Sequence, residues 1–262
     1  MGEGHVHDTL DAAGNMKRSL VFAYAVISYL IGCAGLAYLI LWMAGLLPGA
    51  FGGPWVGHRE MDWITDLLLL ALFGLQHSIM ARPGFKRLLL HLLPNAAERA
   101  TYVLASGLVT LALVAFWSPM PQSIWLVEAT PAATLLWVLF VAGWALLFTA
   151  TFGTNHFELF GLRQAWLYLR GRPWEPLPFV RAGLYRYVRH PIMTGLLIGI
   201  WSTPDMRLEH LIMSTGLTVY IFIGVFFEER DLVGYFGEGY LQYRREVGGV
   251  VPRLRRPGRT AD

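Results

Sequence analysis

The stretch AATLLWVLFVAGWALLFTATF, residues 132–152, carries no charged side chain. A helix that crosses a bilayer needs about 20 predominantly apolar residues, because the hydrocarbon core is about 30 Å thick. This stretch meets that requirement alone, so it predicts lipid rather than a soluble core as its surroundings. Working outward, similar apolar segments lie at 20–47, 62–80 and 101–117, and two shorter ones at 191–203 and 211–227. The expected fold class is an all-α integral membrane protein, a bundle of about six (five to six) transmembrane helices. Thr203-Pro204-Asp205 ends the fifth segment, and Arg207, Glu209 and His210 follow it closely. The last two segments therefore read as a helical hairpin whose tip barely clears the bilayer or stays within it.

The totals agree with lipid. Of 262 residues, 55% are hydrophobic and only 15% charged, whereas soluble domains average about 25% charged. The net charge of +3 forms no continuous basic stripe, so a nucleic-acid partner is not expected and membrane lipids are. One cysteine, Cys33, excludes a disulfide framework and a multi-cysteine metal site. No metal site is expected at His5 and His7, since terminal histidines are ordinarily solvated. Residues 1–19 read as a flexible tail and 20–262 as a single domain. The apolar run after Lys17 and Arg18 is too long for a signal-peptide core.

Basic residues alternate between the loops. They precede the first segment, lie between the second and third (Arg82, Lys86, Arg87, Arg99), crowd the 153–190 connection and follow the sixth segment. The 119–131 loop has none, and 48–61 has only Arg59. This pattern predicts a multi-pass protein of the inner (cytoplasmic) membrane with both termini cytosolic. The long 153–190 connection and the tail after residue 228 then form a cytosolic cap.

Five polar groupings stand at or near the basic ends of the segments. YRYVRHP (185–191) places Tyr187, Val188, Arg189 and His190 just ahead of Pro191. Proline suits a first helical turn, whose amide groups attract anions. FFEER (226–230) sets Glu228 and Glu229 side by side at the end of an apolar helix, where carboxylates must be paired or solvated. Tyr240 and Tyr243, three apart, share a helix face. Gln76, His77 and Ser78 sit inside an apolar run, which marks either a functional site or an interhelical hydrogen bond. Asn155, His156, Glu158 and Gln164 open the long connection. Nucleotide-binding glycine loops are absent from the sequence.

GLYRYVRHPIMTG (183–195), Glu228-Glu229 and Gly237-Glu238-x-Tyr240-x-x-Tyr243 together resemble the C-terminal signature of membrane methyltransferases. That superfamily includes isoprenylcysteine carboxyl methyltransferases, phospholipid N-methyltransferases and NnrU-like proteins. LQHSIMARP (75–83) and TNHFELFGLRQ (154–164) resemble its methanethiol S-methyltransferase branch. Met193 departs from the tyrosine frequent in the superfamily. The resemblance implies S-adenosyl-L-methionine as cofactor and a small thiol, methanethiol, as substrate, giving dimethyl sulfide. The residues that would bind the cofactor are Tyr187, Val188, Arg189, His190, Gly195, Glu228, Glu229, Tyr240 and Tyr243. Gln76, Ser78, Asn155, Glu158 and Gln164 would line the substrate site. His156, then His77, are the candidate catalytic bases. Methylation of another small thiol, a prenylcysteine carboxylate or a phospholipid amine by the same fold, and an NADPH-dependent membrane reductase, remain the alternatives.

Overall fold

In hydrocarbon, backbone N–H and C=O groups find no water, so an apolar segment must satisfy them internally and becomes helical. The computed structural model describes residues 3–48, 62–177 and 181–253, and only the backbone of residues 3–13 and 62. The histidines at positions 5 and 7, Arg59 and the last basic residues of the tail therefore lie outside the described side chains. Five helices among the described residues are long and apolar enough to cross a membrane. They are contained in α1 (Glu3–Met43), α2 (Asp62–Ala81), α4 (Asn95–Ala115), α5 (Thr130–Gly153) and α9 (Leu208–Phe236). The chain is a multi-pass, all-α membrane protein, as its apolar segments predict.

Helix ends depart from the apolar boundaries for a physical reason. Hydropathy marks where lipid contact stops, whereas backbone hydrogen bonding continues into water. Thus α1 reaches back to Glu3, through residues expected as a tail, and α9 runs past residue 227 to Phe236. It stops where Gly237 adopts a φ of 58°, a region favoured by glycine. The fifth apolar segment becomes α8 (Pro191–Trp201), an 11-residue helix about 16 Å long, which alone is too short to span.

Short elements fill the connections: α3 (Pro83–Leu90), α6 (His156–Leu159), α7 (Leu162–Leu169), a 3₁₀ turn at Gly183–Arg186 and α10 (Glu238–Glu246). β1 (Ser123–Leu126) and β2 (Asp205–Arg207) pair as a two-stranded sheet. The chain divides into two compact units, Met1–Trp125 with Asn155–Leu177 and Met206–Gly216, and Leu126–Thr154 with Pro178–Asp205 and Leu217–Asp262. The sequence reads as one domain because the chain alternates between the units and leaves no linker.

In the first unit α1 packs on α4 at glycines. A Cβ on Gly107 would come within 2.7 Å of Gly32 Cα, so only small residues permit this approach. Val21, Ala25, Ala96, Ala97, Ala100 and Ala165 continue the contact as a buried apolar cluster of α1, α4 and α7. Asp66, fully buried on α2, accepts a hydrogen bond from the Ser118 N–H at 3.0 Å. Glu209 accepts one from the Met120 N–H at 2.6 Å.

In the second unit α5 and α8 touch through Gly143, Gly195 and Gly199. A Cβ on Gly143 would lie 2.5 Å from Gly199 N, and one on Gly195 would lie 2.5 Å from Leu147 N. Just beyond α8, Pro204 C=O accepts from the Val127 N–H at 2.9 Å, three residues before α5 begins. The α8 segment and its extended exit therefore run back along α5 to the turn that precedes it. The fifth apolar segment expected from the sequence is thus a short helix followed by hydrogen-bonded extended residues.

Replacing Gly143 with valine is expected to destabilise the fold by about 1–3 kcal/mol through overpacking. Gly224→Ala, where a Cβ meets nothing within 4 Å, should be neutral. Thermal unfolding in detergent would separate the two.

Candidate functional site

The second unit holds a charged cluster around Glu229. The side chain of Glu229 is 11% exposed and that of Glu228 52%. Arg189 Nη2 lies 2.5 Å and Nε 2.7 Å from Glu229 Oε1. His190 Nε2 reaches the same oxygen at 3.1 Å, and Arg244 Nε approaches Oε2 at 3.1 Å. A carboxylate this buried is tolerable because three donors surround it.

Each partner arrives from a different element. Pro191 opens α8 and makes His190 its N-cap residue. A parallel bridge between Val188 and Gly248 lays the preceding segment beside the tail. The Arg189 N–H donates to Gly248 O at 2.8 Å, and the His190 N–H to Gly249 O at 3.1 Å. The Arg189 guanidinium also donates to the carbonyls of Arg244, at 3.2 Å, and Val247. Thr194 Oγ1 donates to Val250 O at 2.7 Å. Glu229 and Arg189 thus tie the end of α9, the start of α8 and the tail after α10 together.

His190 also places Nδ1 3.5 Å from Glu228 Oε2. Burial pulls the His190 pKa down, but hydrogen bonds and charge from Glu228 and Glu229 outweigh it and leave it raised. Glu228 keeps about half its side chain in contact with the surroundings. A cleft of about 240 Å³ opens beside Glu229, lined by Phe226, Arg230, Val233 and Arg244.

The remaining residues expected at this site fall into two groups. Tyr187 is exposed. Tyr240 and Tyr243 are each only 2% exposed, with ring centroids 5.8 Å apart. Tyr243 Oη donates to Tyr185 O at 2.6 Å, and the Arg181 guanidinium sits 4.9 Å from the Tyr243 ring. Burial raises the pKa of both hydroxyls to about 12. These rings support the backbone around residue 185, and Gly195 is occupied in the α5 contact described above.

The first unit holds the other expected residues. His156 is buried, and its Nε2 lies 2.9 Å from the Tyr29 hydroxyl. Phe160 flanks the imidazole at 4.7 Å between centroids. Burial lowers the His156 pKa. Asn155 takes a φ of 72° and caps α6, its Oδ1 accepting from the Glu158 N–H at 3.1 Å. Glu158 accepts from Arg163 at 2.7 Å and from Trp174 Nε1 at 2.8 Å. Gln164 Nε2 donates to Glu158 O at 3.1 Å. Asn155, Glu158 and Gln164 therefore form one frame beside His156.

Gln76 and His77 are engaged on α4 instead. Gln76 Nε2 lies 3.4 Å and His77 Nδ1 3.2 Å from Ser106 Oγ. His77 stacks on Phe73 and packs against Tyr102. The pair thus makes the interhelical contact that polar residues in an apolar run can make. The sequence reasoning did not single out Tyr29, Ser106, Asp66 or Arg244. Asp66 carried a usable signal, a carboxylate inside an apolar run. An isolated tyrosine or serine in a spanning helix carries none.

Five spanning helices, a short helix packed on one of them and a buried ion cluster define a polytopic membrane protein with a charged site at the end of its last long helix. The family described as NnrU protein matches residues 67–245, and the chain belongs to that family. It is 42% identical to methanethiol S-methyltransferase of Mycobacterium tuberculosis over 247 residues, 90% of this chain and 98% of the relative. It is 40% identical to methanethiol S-methyltransferase 1 of Bradyrhizobium diazoefficiens over 234 residues, 89% of this chain and 82% of the relative. It is 44% identical to the Pseudomonas deceptionensis methanethiol S-methyltransferase over 198 residues, 74% of this chain and 75% of the relative. No solved structure matches the chain.

Glu229→Ala would leave Arg189, Arg244 and His190 without their shared carboxylate and should cost on the order of 3 kcal/mol. A raised His190 pKa contributes stability that is fully present below the ordinary imidazole value of about 6.5 and is lost as pH rises through the folded value. Melting temperatures measured across this range should fall with rising pH in the parent, and His190→Asn should flatten that dependence.

Proposed function

We propose that the chain is an S-adenosyl-L-methionine-dependent thiol S-methyltransferase that converts methanethiol to dimethyl sulfide at a membrane-embedded site. The observation that carries this reading is the near-full-length similarity to proteins named methanethiol S-methyltransferase. The proposed setting is the cytoplasmic membrane, with the basic loops and both termini cytosolic. The alternation of arginine-rich and arginine-poor loops supports it.

The charged cluster fits a zwitterionic donor. Glu228, half exposed beside His190, is suited to accept from an ammonium or ribose hydroxyl. Arg189 is fully engaged with Glu229 and the tail carbonyls, which makes it a positioning residue. Arg230 and Arg244, on the rim of the cleft, are better placed to meet a carboxylate. When bound, S-adenosylmethionine supplies an electrophilic methyl group on a sulfonium.

The thiol must lose its proton for its sulfur to attack well. His156 is the proposed acceptor, because a lowered pKa keeps its imidazole neutral at neutral pH. Tyr29 orients that ring, and Asn155, Glu158 and Gln164 hold the segment that carries it. In the reaction His156 would take the thiol proton and pass it on to water. Methanethiol is small and apolar, so it can enter from lipid without a polar channel.

Headspace gas chromatography on the purified full chain, supplied with S-adenosylmethionine and methanethiol, tests the reading. Dimethyl sulfide is expected, with kcat lowered about a hundredfold in His156→Ala. A folded sample that binds the donor but yields no dimethyl sulfide would discard methanethiol as substrate. The larger thiols, prenylcysteine and phospholipid amines would be assayed next.

A further inference from the structure

The first unit contains a second cavity that the proposed chemistry does not use. It measures about 520 Å³, within the range of small-ligand sites. Asn95, Glu98 and Arg99 line it from the first turns of α4, and Gln164, Arg172 and Trp174 from α7 and the segment after it.

Its position relative to lipid follows from the spans. The α2 span ends at Ala81 and the α4 span begins at Asn95, so the cavity lies at the depth where hydrocarbon gives way to headgroups. Leu88, Leu90 and Leu92, on and just after α3, are exposed, as is Trp166 on α7. Exposed apolar side chains beside Lys86, Arg87 and Arg170 are the mark of a surface lying on a membrane interface.

The wall chemistry selects the headgroup. Arg99 spends Nε on Leu159 O at 2.8 Å and lays its guanidinium 5.2 Å from the Tyr102 ring. Its terminal nitrogens are left to face an anion. Arg172, exposed on the opposite wall, supplies a second guanidinium. Glu98 would oppose an anion, but Lys86 Nζ lies 3.6 Å from it and offsets its charge. Gln164 Oε1 is buried without a hydrogen-bond donor in the protein. Trp174, held by Glu158, forms an aromatic edge to the cavity.

We propose that this cavity binds the headgroup of an anionic phospholipid whose phosphate meets Arg99 and Arg172. Phosphatidylglycerol is a lipid of this kind. Its acyl chains would follow the apolar surface of α3 into the bilayer.

Native mass spectrometry of the full chain, released from micelles containing dioleoyl phosphatidylglycerol, dioleoyl phosphatidylcholine or glycerol 3-phosphate, is the direct test. Retention of phosphatidylglycerol over phosphatidylcholine is expected, falling about tenfold in Arg99→Gln/Arg172→Gln. Because Arg99 also braces Leu159, Arg172→Gln alone serves as the second variant and should show a several-fold loss with an unchanged melting temperature. Equal retention of the two lipids, or no loss in either variant, would overturn the proposal. Glycerol 3-phosphate binding as tightly as the lipid would overturn the lipid source and leave a soluble phosphate as the ligand.

Discussion

The burial of the Glu229 carboxylate is the constraint on which the C-terminal site depends. A carboxylate at the end of an apolar helix is costly unless donors surround it. Arg189, His190 and Arg244 do so, each within 3.1 Å. The requirement brings three separate stretches of chain together. It fixes the entry into α8, because Arg189 and His190 immediately precede Pro191. It fixes the tail, because the Arg189 backbone and guanidinium both bond carbonyls between Arg244 and Gly249. Its neighbour Glu228 is left half exposed at the same helix end, where a ligand can reach it. Two adjacent glutamates thus take different roles, one holding the structure and the other available for recognition.

Within each unit, helices approach closely because glycines face one another. Lipid offers little hydrophobic drive for helices to associate, so packing depends on how near the backbones can come. In the second unit this seats the 11-residue α8 closely against the 24-residue α5. Gly195 and Gly199 seat α8 on α5, and the extended residues that follow bond to the turn before α5. In the first unit the same device joins α1 to α4, with Tyr29 and His156 meeting at the end of the cluster that follows.

The long spans were legible because an uncharged apolar run has few structural solutions. The short fifth segment was legible as an apolar run, with Thr203-Pro204-Asp205 marking its end. The charged constellation was legible as a cluster, since Arg189, His190, Glu228 and Glu229 are dense in polar chemistry. Its internal pairing was not. Arg189 reads as an anion ligand until Glu229, forty positions away, is seen to occupy it. Tyr240 and Tyr243 share a face as expected, and both are buried. Gln76 and His77 looked like site residues, and Ser106 on another helix explains them. Glu158 found its partners in Arg163 and Trp174, the second of which had no signal of its own. The division into two units was hidden because each draws on separated stretches of sequence, so no linker betrays it.

The most direct measurement of this account is S-adenosylmethionine binding to the purified full chain by isothermal titration calorimetry, comparing the parent with Glu228→Gln. The account predicts that Glu228→Gln weakens binding about tenfold while the protein stays folded with only a small fall in melting temperature, because Glu229 still holds Arg189 and Arg244. Parent-like affinity in Glu228→Gln would contradict it, showing that the exposed carboxylate beside His190 does not recognise the donor.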